Sequence, residues 1–176
     1  MMERRWLRGL ILLLCFLALP GCYYLRLAAE PLPKPRFVTL RPADEVYAEV
    51  RTLLPRIGYV IEQEDPKERT LLTEFSHIAT RAGGITLPAG GRLYFHKLRV
   101  KVGGGEEGAD VELESVDLEI RSSYVYEEDG KVLSFKKRYP YDHYPSMFDL
   151  SSVHNELGRV RVYLENALAN GGTHGR

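Results

Sequence analysis

Only two cysteines occur in the 176 residues, and neither is available to a folded domain. Cys15 lies inside an apolar run and Cys22 stands just after it, so no intrachain disulfide can brace the rest of the chain. That remainder must hold itself together with a packed core. Long apolar stretches are missing as well: the uninterrupted run Leu10 to Leu19 is half of the roughly 20 residues a membrane-spanning helix needs. A charge of one sign is also missing, with 24 basic against 24 acidic side chains. A balanced chain carries no electrostatic footprint for nucleic acid. There is no internal repeat. The glycine-rich stretch from Thr80 to Arg92 lacks both the Gly-Lys-Ser/Thr ending and the following helix of a phosphate-binding loop, and reads as a flexible loop.

What is present begins with Arg4, Arg5 and Arg8 ahead of the apolar run, the basic and hydrophobic regions of a signal peptide. Leu19-Pro20-Gly21-Cys22 follows at once and resembles the lipobox of bacterial lipoproteins. The resemblance implies a diacylated Cys22 thiol, cleavage just before it, and acylation of the new amino group. Two or more acyl chains suffice for stable anchoring, so Cys22 is the expected lipidation site and the membrane an expected partner. An ordinary secretory signal or a short uncleaved anchor is the alternative. Tyr23 in place of aspartate resembles the outer-membrane sorting pattern, which implies a location on the periplasmic face of the outer membrane. Loss of residues 1–21, with three arginines and one glutamate, leaves 21 basic and 23 acidic side chains.

Residues 22–35 read as a lipidated tether, with Pro31, Pro33 and Pro35 favouring a stiff, extended segment. Residues 36–169 are the length of one ordinary domain, and 170–176 form a tail. Phe37 to Leu40 is a short strand. Pro42, Asp44 and Glu45 then mark a helix start, and Val46, Val50, Leu53, Leu54 and Ile57 repeat as one buried helical face. Pro55 should distort the last turn before Gly58 ends it. Tyr59 to Gln63 and Thr70 to His77 read as two strands joined by a charged turn.

In Tyr94 to Val102, His96, Leu98, Val100 and Val102 share one face, the alternation of a half-buried strand. Beyond the turn from Gly103 to Ala109, Val111 and Leu113 keep one parity while Val116, Leu118 and Ile120 keep the other. A one-residue bulge near Ser115 would reconcile them. Glu112, Glu114, Asp117 and Glu119 would then face Lys97, Arg99 and Lys101 as cross-strand charge pairs rather than as acid–base or metal-binding groups. The strand should run through Tyr124 and Tyr126 to a hairpin turn at Asp129-Gly130, with Lys131 to Tyr139 returning.

Tyr139 to Phe148 has two prolines and many aromatics. Tyr139, Tyr141, Tyr144, Met147 and Phe148 are candidate partner-binding residues, because aromatic side chains concentrate at interface hot spots. A lid over the end of the sheet is the competing role. The final helix starts near Asp149, Ser151 or Ser152 and carries Val153, Leu157, Val160, Leu164 and Leu168 as a buried stripe of about 17 residues, stopping at Asn170-Gly171-Gly172. The expected fold is α+β: an antiparallel sheet of about five to six strands, a helix after the first strand, and a long C-terminal helix packed on the sheet.

That order resembles the helix-grip arrangement. Ala43-Asp44-Glu45-Val46 through Leu53, Gly58-Tyr59-Val60-Ile61-Glu62 and Thr70-Leu71-Leu72-Thr73 are similar to the corresponding helix and strands of lipoprotein C in the outer-membrane β-barrel assembly machinery. The resemblance implies a non-catalytic accessory lipoprotein with an outer-membrane or envelope protein as partner. A carrier or sensor of an apolar lipid is a second reading. An envelope hydrolase is a third, but the five histidines lie far apart and no nucleophile–base or paired-carboxylate motif is visible. No catalytic residue, metal ligand or cofactor is expected.

Overall fold

The computed structural model describes residues 29–81, 91–128 and 131–171, with the backbone alone described for 123–136 and 171. The expected signal peptide, the expected lipobox with Cys22, most of the glycine-rich stretch, the expected Asp129-Gly130 turn and the final residues fall outside them. In chain order the elements are β1 (Arg36–Thr39), α1 (Ala43–Arg56), β2 (Ile61–Asp65), β3 (Thr70–Thr73), β4 (Ser76–Arg81), β5 (Arg92–Gly104), β6 (Ala109–Glu128), β7 (Lys131–Pro140), a 3-10 turn (Pro145–Met147) and α2 (Ser151–Gly171).

The sheet is antiparallel throughout and is built on the long β5–β6 hairpin. Its order is β1-β6-β5-β3-β2, with β4 also on β5 and β7 also on β6. Each long strand is flanked by two shorter ones end to end. Along β5, β3 pairs Leu72 with Arg99 and β4 pairs Ser76 with His96. Along β6, β1 pairs Phe37 with Val111 and β7 pairs Pro140 with Glu119. The fold class is therefore the α+β arrangement expected, with seven strands rather than five to six. The extra strand arises because Thr70 to His77 is broken at Glu74-Phe75. Past Ser122, the partner of Arg92 at the start of β5, β6 and β7 pair only with each other.

Both helices pack on one face of the sheet and against each other. The rows His96, Leu98, Val100, Val102 on β5 and Val111, Leu113 on β6 are fully buried beneath them, with Val46, Val50, Leu54 from α1 and Val153, Leu157, Val160, Leu164, Leu168 from α2. Apolar area removed from water on this scale is the main stabilising contribution. Pro55 does not break α1, because it sits so near the end. The last turn tightens instead: the Ile57 N–H donates to the Leu54 carbonyl at 3.1 Å, and Gly58 at φ +92° turns the chain away. The β2–β3 turn is closed by Asp65, whose Oδ1 accepts from the Lys67 and Glu68 amides at 3.0 and 3.1 Å.

The β6 bulge lies two residues beyond the expected place. Phe95 pairs with Glu119 and Lys97 with Val116, so Asp117 and Leu118 together oppose His96, and Asp117 takes φ +50°. Ser115, not Val116, consequently occupies the core row. Asp is one of the few non-glycine residues that tolerates this conformation. The outer-face charge ladder forms in part as expected, with Arg99 on Glu114 at 2.9 Å. Lys97 reaches across to Glu62 instead of β6, and Glu114 also receives Lys34 at 2.6 Å. The C-terminal helix runs to Gly171, within the expected stop Asn170-Gly171-Gly172. Its start is set by Asp149, whose carboxylate accepts from the Ser151 amide at 2.9 Å.

Candidate functional site

Three neighbouring features at one end of the sheet carry the unusual chemistry: the aromatic corner, a cleft at the β6 bulge, and a buried polar chain behind it.

The corner forms because Pro140 ends β7 and the chain then coils tightly. The Tyr144 amide donates to the Pro140 carbonyl at 3.1 Å and the Phe148 amide to the Pro145 carbonyl at 3.1 Å. This coil splits the five candidate partner-binding residues into two groups. Tyr141 is 5% exposed and stacks edge-on with Phe148 at 5.1 Å, which stacks on Tyr94 at 5.7 Å. The Tyr141 hydroxyl donates to the Glu30 carbonyl at 2.7 Å, so these rings seal the sheet end and fasten the segment leading into the domain. Tyr139 and Tyr144 form a separate edge-on pair at 5.3 Å, with the Lys137 ammonium 5.0 Å from the Tyr139 ring centre. Tyr144 is 40% exposed. Met147 is half-buried, and its carbonyl accepts from Arg92 at 3.2 Å. Tyr141→Phe should lower stability by about 1 kcal/mol through loss of one hydrogen bond, while Tyr144→Ser should stay within about 0.5 kcal/mol of wild type. Urea unfolding of the two variants checks the division; equal losses would contradict it.

The cleft occupies the stretch of β6 between its two outer partners, since β1 stops at Glu112 and β7 begins at Glu119. Leu32 and Pro35 flank the gap on one side, with the Leu113 amide donating to the Pro35 carbonyl at 3.0 Å, and the Tyr141 amide closes the other on the Leu118 carbonyl at 2.8 Å. Leu32, Phe75, Asp117, Glu119, Arg138 and Tyr141 line a space of about 420 Å³. Glu119, buried at its floor, accepts from Arg121 Nε at 2.6 Å and from Arg138 Nε and Nη2 at 2.8 Å each. Arg121 also lies 4.1 Å from the Phe95 ring centre and 4.8 Å from that of Phe75. Two guanidiniums on one carboxylate, backed by aromatic rings, satisfy the buried carboxylate and leave a net positive charge at the surface.

Behind the bulge runs a hydrogen-bonded chain that links sheet to helix. Ser115 Oγ lies 2.9 Å from His96 Nδ1, His96 Nε2 lies 3.0 Å from the Tyr59 hydroxyl, and that hydroxyl lies 2.7 Å from Glu156 Oε1. Arg159 completes it with bonds of 2.9 and 2.7 Å to the same carboxylate. The proton positions follow from the end of the chain. An ionised Glu156 can only accept, so Tyr59 donates to it and accepts from His96 Nε2–H, which leaves Nδ1 to accept from Ser115. Burial pushes the His96 imidazole down to about 4, against the pull of Glu156. Burial opposes ionisation of Glu156 too, but the bonds from Arg159 and Tyr59 prevail and hold it below the ordinary range. The Tyr59 phenol is pushed up by burial and by its bond to Glu156.

A serine, a histidine and a carboxylate in series can in principle support acyl transfer. Here His96 is 0% and Ser115 2% exposed, so the chain of bonds fastens α2 to β5 and β6, with Ser115 also at the edge of the cleft. Sequence reasoning passed over this chain because its members lie on different elements. The available signal was a histidine in an otherwise aliphatic core row, together with a serine at the parity of Val111 and Leu113.

Among the described residues, no group of three or more His, Cys, Asp or Glu side chains could hold a metal ion, and no helix is long and apolar enough to cross a membrane. The geometry thus defines an α+β domain with a one-sided helical cover, an aromatic corner and a sealed polar chain. No protein-family model and no curated protein matches the chain. Among solved structures it is similar to a DUF4468 family protein from Bacteroides ovatus, at 13% identity over 68% of each chain with a TM-score of 0.35. That likeness is too slight to bear on function.

Proposed function

We propose that the chain is a lipid-anchored protein of the cell envelope, held by Cys22 on the periplasmic face of the outer membrane, whose domain binds rather than catalyses. The observation that carries this reading is a convergence at one corner. The chain leads into the domain at Glu30, whose carbonyl accepts the Tyr141 hydroxyl at 2.7 Å, and the aromatic segment folds beside it. Cys22 lies eight residues upstream of Glu30, a reach of at most about 28 Å for extended chain. A domain hung from so short a segment keeps its aromatic corner within that distance of the membrane, where envelope components would meet it. The full burial of the His96 imidazole favours binding over hydrolysis. The filled interior, with Leu157, Val160, Leu164 and Leu168 all buried, favours it over carriage of an apolar ligand between helix and sheet.

Intact-mass measurement and membrane fractionation of the full-length protein beside its Cys22→Ala form test this. The wild type is expected to begin at Cys22, carry three acyl chains and collect with outer membranes. The variant should carry no lipid and appear there on the order of tenfold less. A wild-type chain without lipid would overturn the reading.

A further inference from the structure

We propose that the outward face of the aromatic corner, Tyr139, Tyr144 and Lys137, rests on the headgroup layer of the bilayer that holds the Cys22 anchor; this rests on the lipid-anchor reading above and names the partner of that same corner.

The direction in which the tether runs carries the argument. From Glu30 at the Tyr141 corner the chain passes alongside β6, with Lys34 on Glu114, Pro35 receiving the Leu113 amide and Arg36 beside Glu112, and becomes β1. Its anchored end is therefore the corner end, and its other end is the far turn, where Gly108 approaches the Thr39 carbonyl. Along β5 the two ends are separated by the run from Tyr94 to Gly104, about 33 Å at the usual strand rise. With Cys22 only eight residues from Glu30, the corner stays within about 28 Å of the inserted anchor, whereas the far turn lies about 33 Å further along the strands.

The chemistry of the face matches that position. Tyrosine and lysine each combine an apolar body with a polar or charged tip, which is why tyrosine gathers at membrane–water interfaces and lysine extends its ammonium to the headgroups. Tyr139 and Tyr144 are held as a pair, with Lys137 over one ring, and exposed His143 follows on the same turn. Exposed Asp142 interrupts the positive charge, so a mixed headgroup layer suits the face better than a strongly anionic one. A stable protein interface buries about 800 Å² on each partner. Exposed Lys137 and half-buried Tyr139 at the end of β7, with exposed Tyr144 on the coil, provide far less, which favours the lipid surface over a protein.

The single tryptophan of the chain is Trp6, in the segment that cleavage before Cys22 removes, so one introduced indole reports alone. Full-length lipidated protein carrying Tyr144→Trp, and separately Leu40→Trp, is reconstituted into vesicles of phosphatidylethanolamine and phosphatidylglycerol containing lipids brominated near the headgroup. Leu40 is 90% exposed and lies at the far end, which makes it the control. The expected result is loss of at least about half of the Tyr144→Trp emission, with the Leu40→Trp emission unchanged. Should Tyr144→Trp fail to fold, His143→Trp reads the same face. Vesicles that float with the protein while both positions stay unquenched, or are quenched alike, would overturn the inference and hand the corner to a protein partner. Failure of the protein to float at all would remove the anchor reading, and this inference with it, and is distinguished by the flotation itself.

Discussion

Between pH 6.5 and pH 4 the domain is expected to lose about 3 kcal/mol of folding stability through His96 alone, at about 1.4 kcal/mol per pKa unit. The imidazole is fully buried and pushed down to about 4, against 6.5 for the free side chain. In this window the unfolded chain takes up a proton that the folded chain refuses, so stability falls as pH falls. The contribution is complete above 6.5 and exhausted below about 4. Glu156, held below its ordinary range, acts in the same direction: its stabilisation is present above 4.5 and is lost as pH falls further. Urea midpoints taken in half-unit steps from pH 7.5 to 4 should trace this descent. His96→Gln keeps a donor and an acceptor but cannot titrate, so its midpoints should stay nearly level between 6.5 and 4.5. A variant that falls in parallel with wild type would show that another group is responsible. Because the chain from Ser115 to Glu156 spans β6, β5 and α2, acid is expected to loosen the C-terminal helix first, visible as faster amide exchange around Leu157.

Gly104→Ala is expected to cost about 3 kcal/mol, at the upper end for a strained left-handed residue. Gly104 has φ +97°, and a Cβ there would lie 2.2 Å from the Gly108 carbonyl oxygen and 3.0 Å from Ala109 Cα. Both neighbours are backbone, so relief requires opening the turn. That turn is closed by the Gly105 amide on the Gly108 carbonyl at 3.0 Å, and the Gly105 carbonyl in turn accepts the first amide of α1, that of Ala43, at 3.0 Å. The change should therefore disturb the start of α1 as well as the β5–β6 hairpin. Gly105→Ala is the control, since a Cβ there meets nothing within 4 Å. Thermal unfolding should show a drop of several degrees for the first and little for the second. Equal melting temperatures would mean that the turn relaxes at no cost.

Much of the architecture could be read from periodicity. The row from His96 to Val102 and the stripe from Val153 to Leu168 are buried as their spacing requires, because a strand or helix packed on one side must place its apolar groups at two- or 3.6-residue intervals. The change of parity along β6 announced a bulge, though not its position. Parity is blind to whether Ser115 or Val116 faces inward, and the answer came from the pairing of Phe95 with Glu119 and Lys97 with Val116. Glu119 looked like a solvated ladder charge and proved to be buried under two arginines, because Arg138 reaches it only once β7 has folded back. The aromatic segment was legible as composition. Its division into an inward pair, Tyr141 and Phe148, and exposed Tyr144 beside half-buried Tyr139 depends on the coil after Pro140, which brings Tyr144 back onto the end of β7.

By itself, then, the amino-acid sequence determined the expectations of a lipidated Cys22 and of a domain without a disulfide, together with the two helices, the strands of the central hairpin and the α+β class, all of which depend on local spacing or on residue counts. Only the tertiary structure decided that Glu30 lies at the aromatic corner, that β6 carries a gap between β1 and β7, and that Tyr59, His96, Ser115 and Glu156 form one buried chain. Those features join residues up to 111 positions apart. Contact between such distant side chains is set by strand register and helix placement, and these emerge only when the whole core closes.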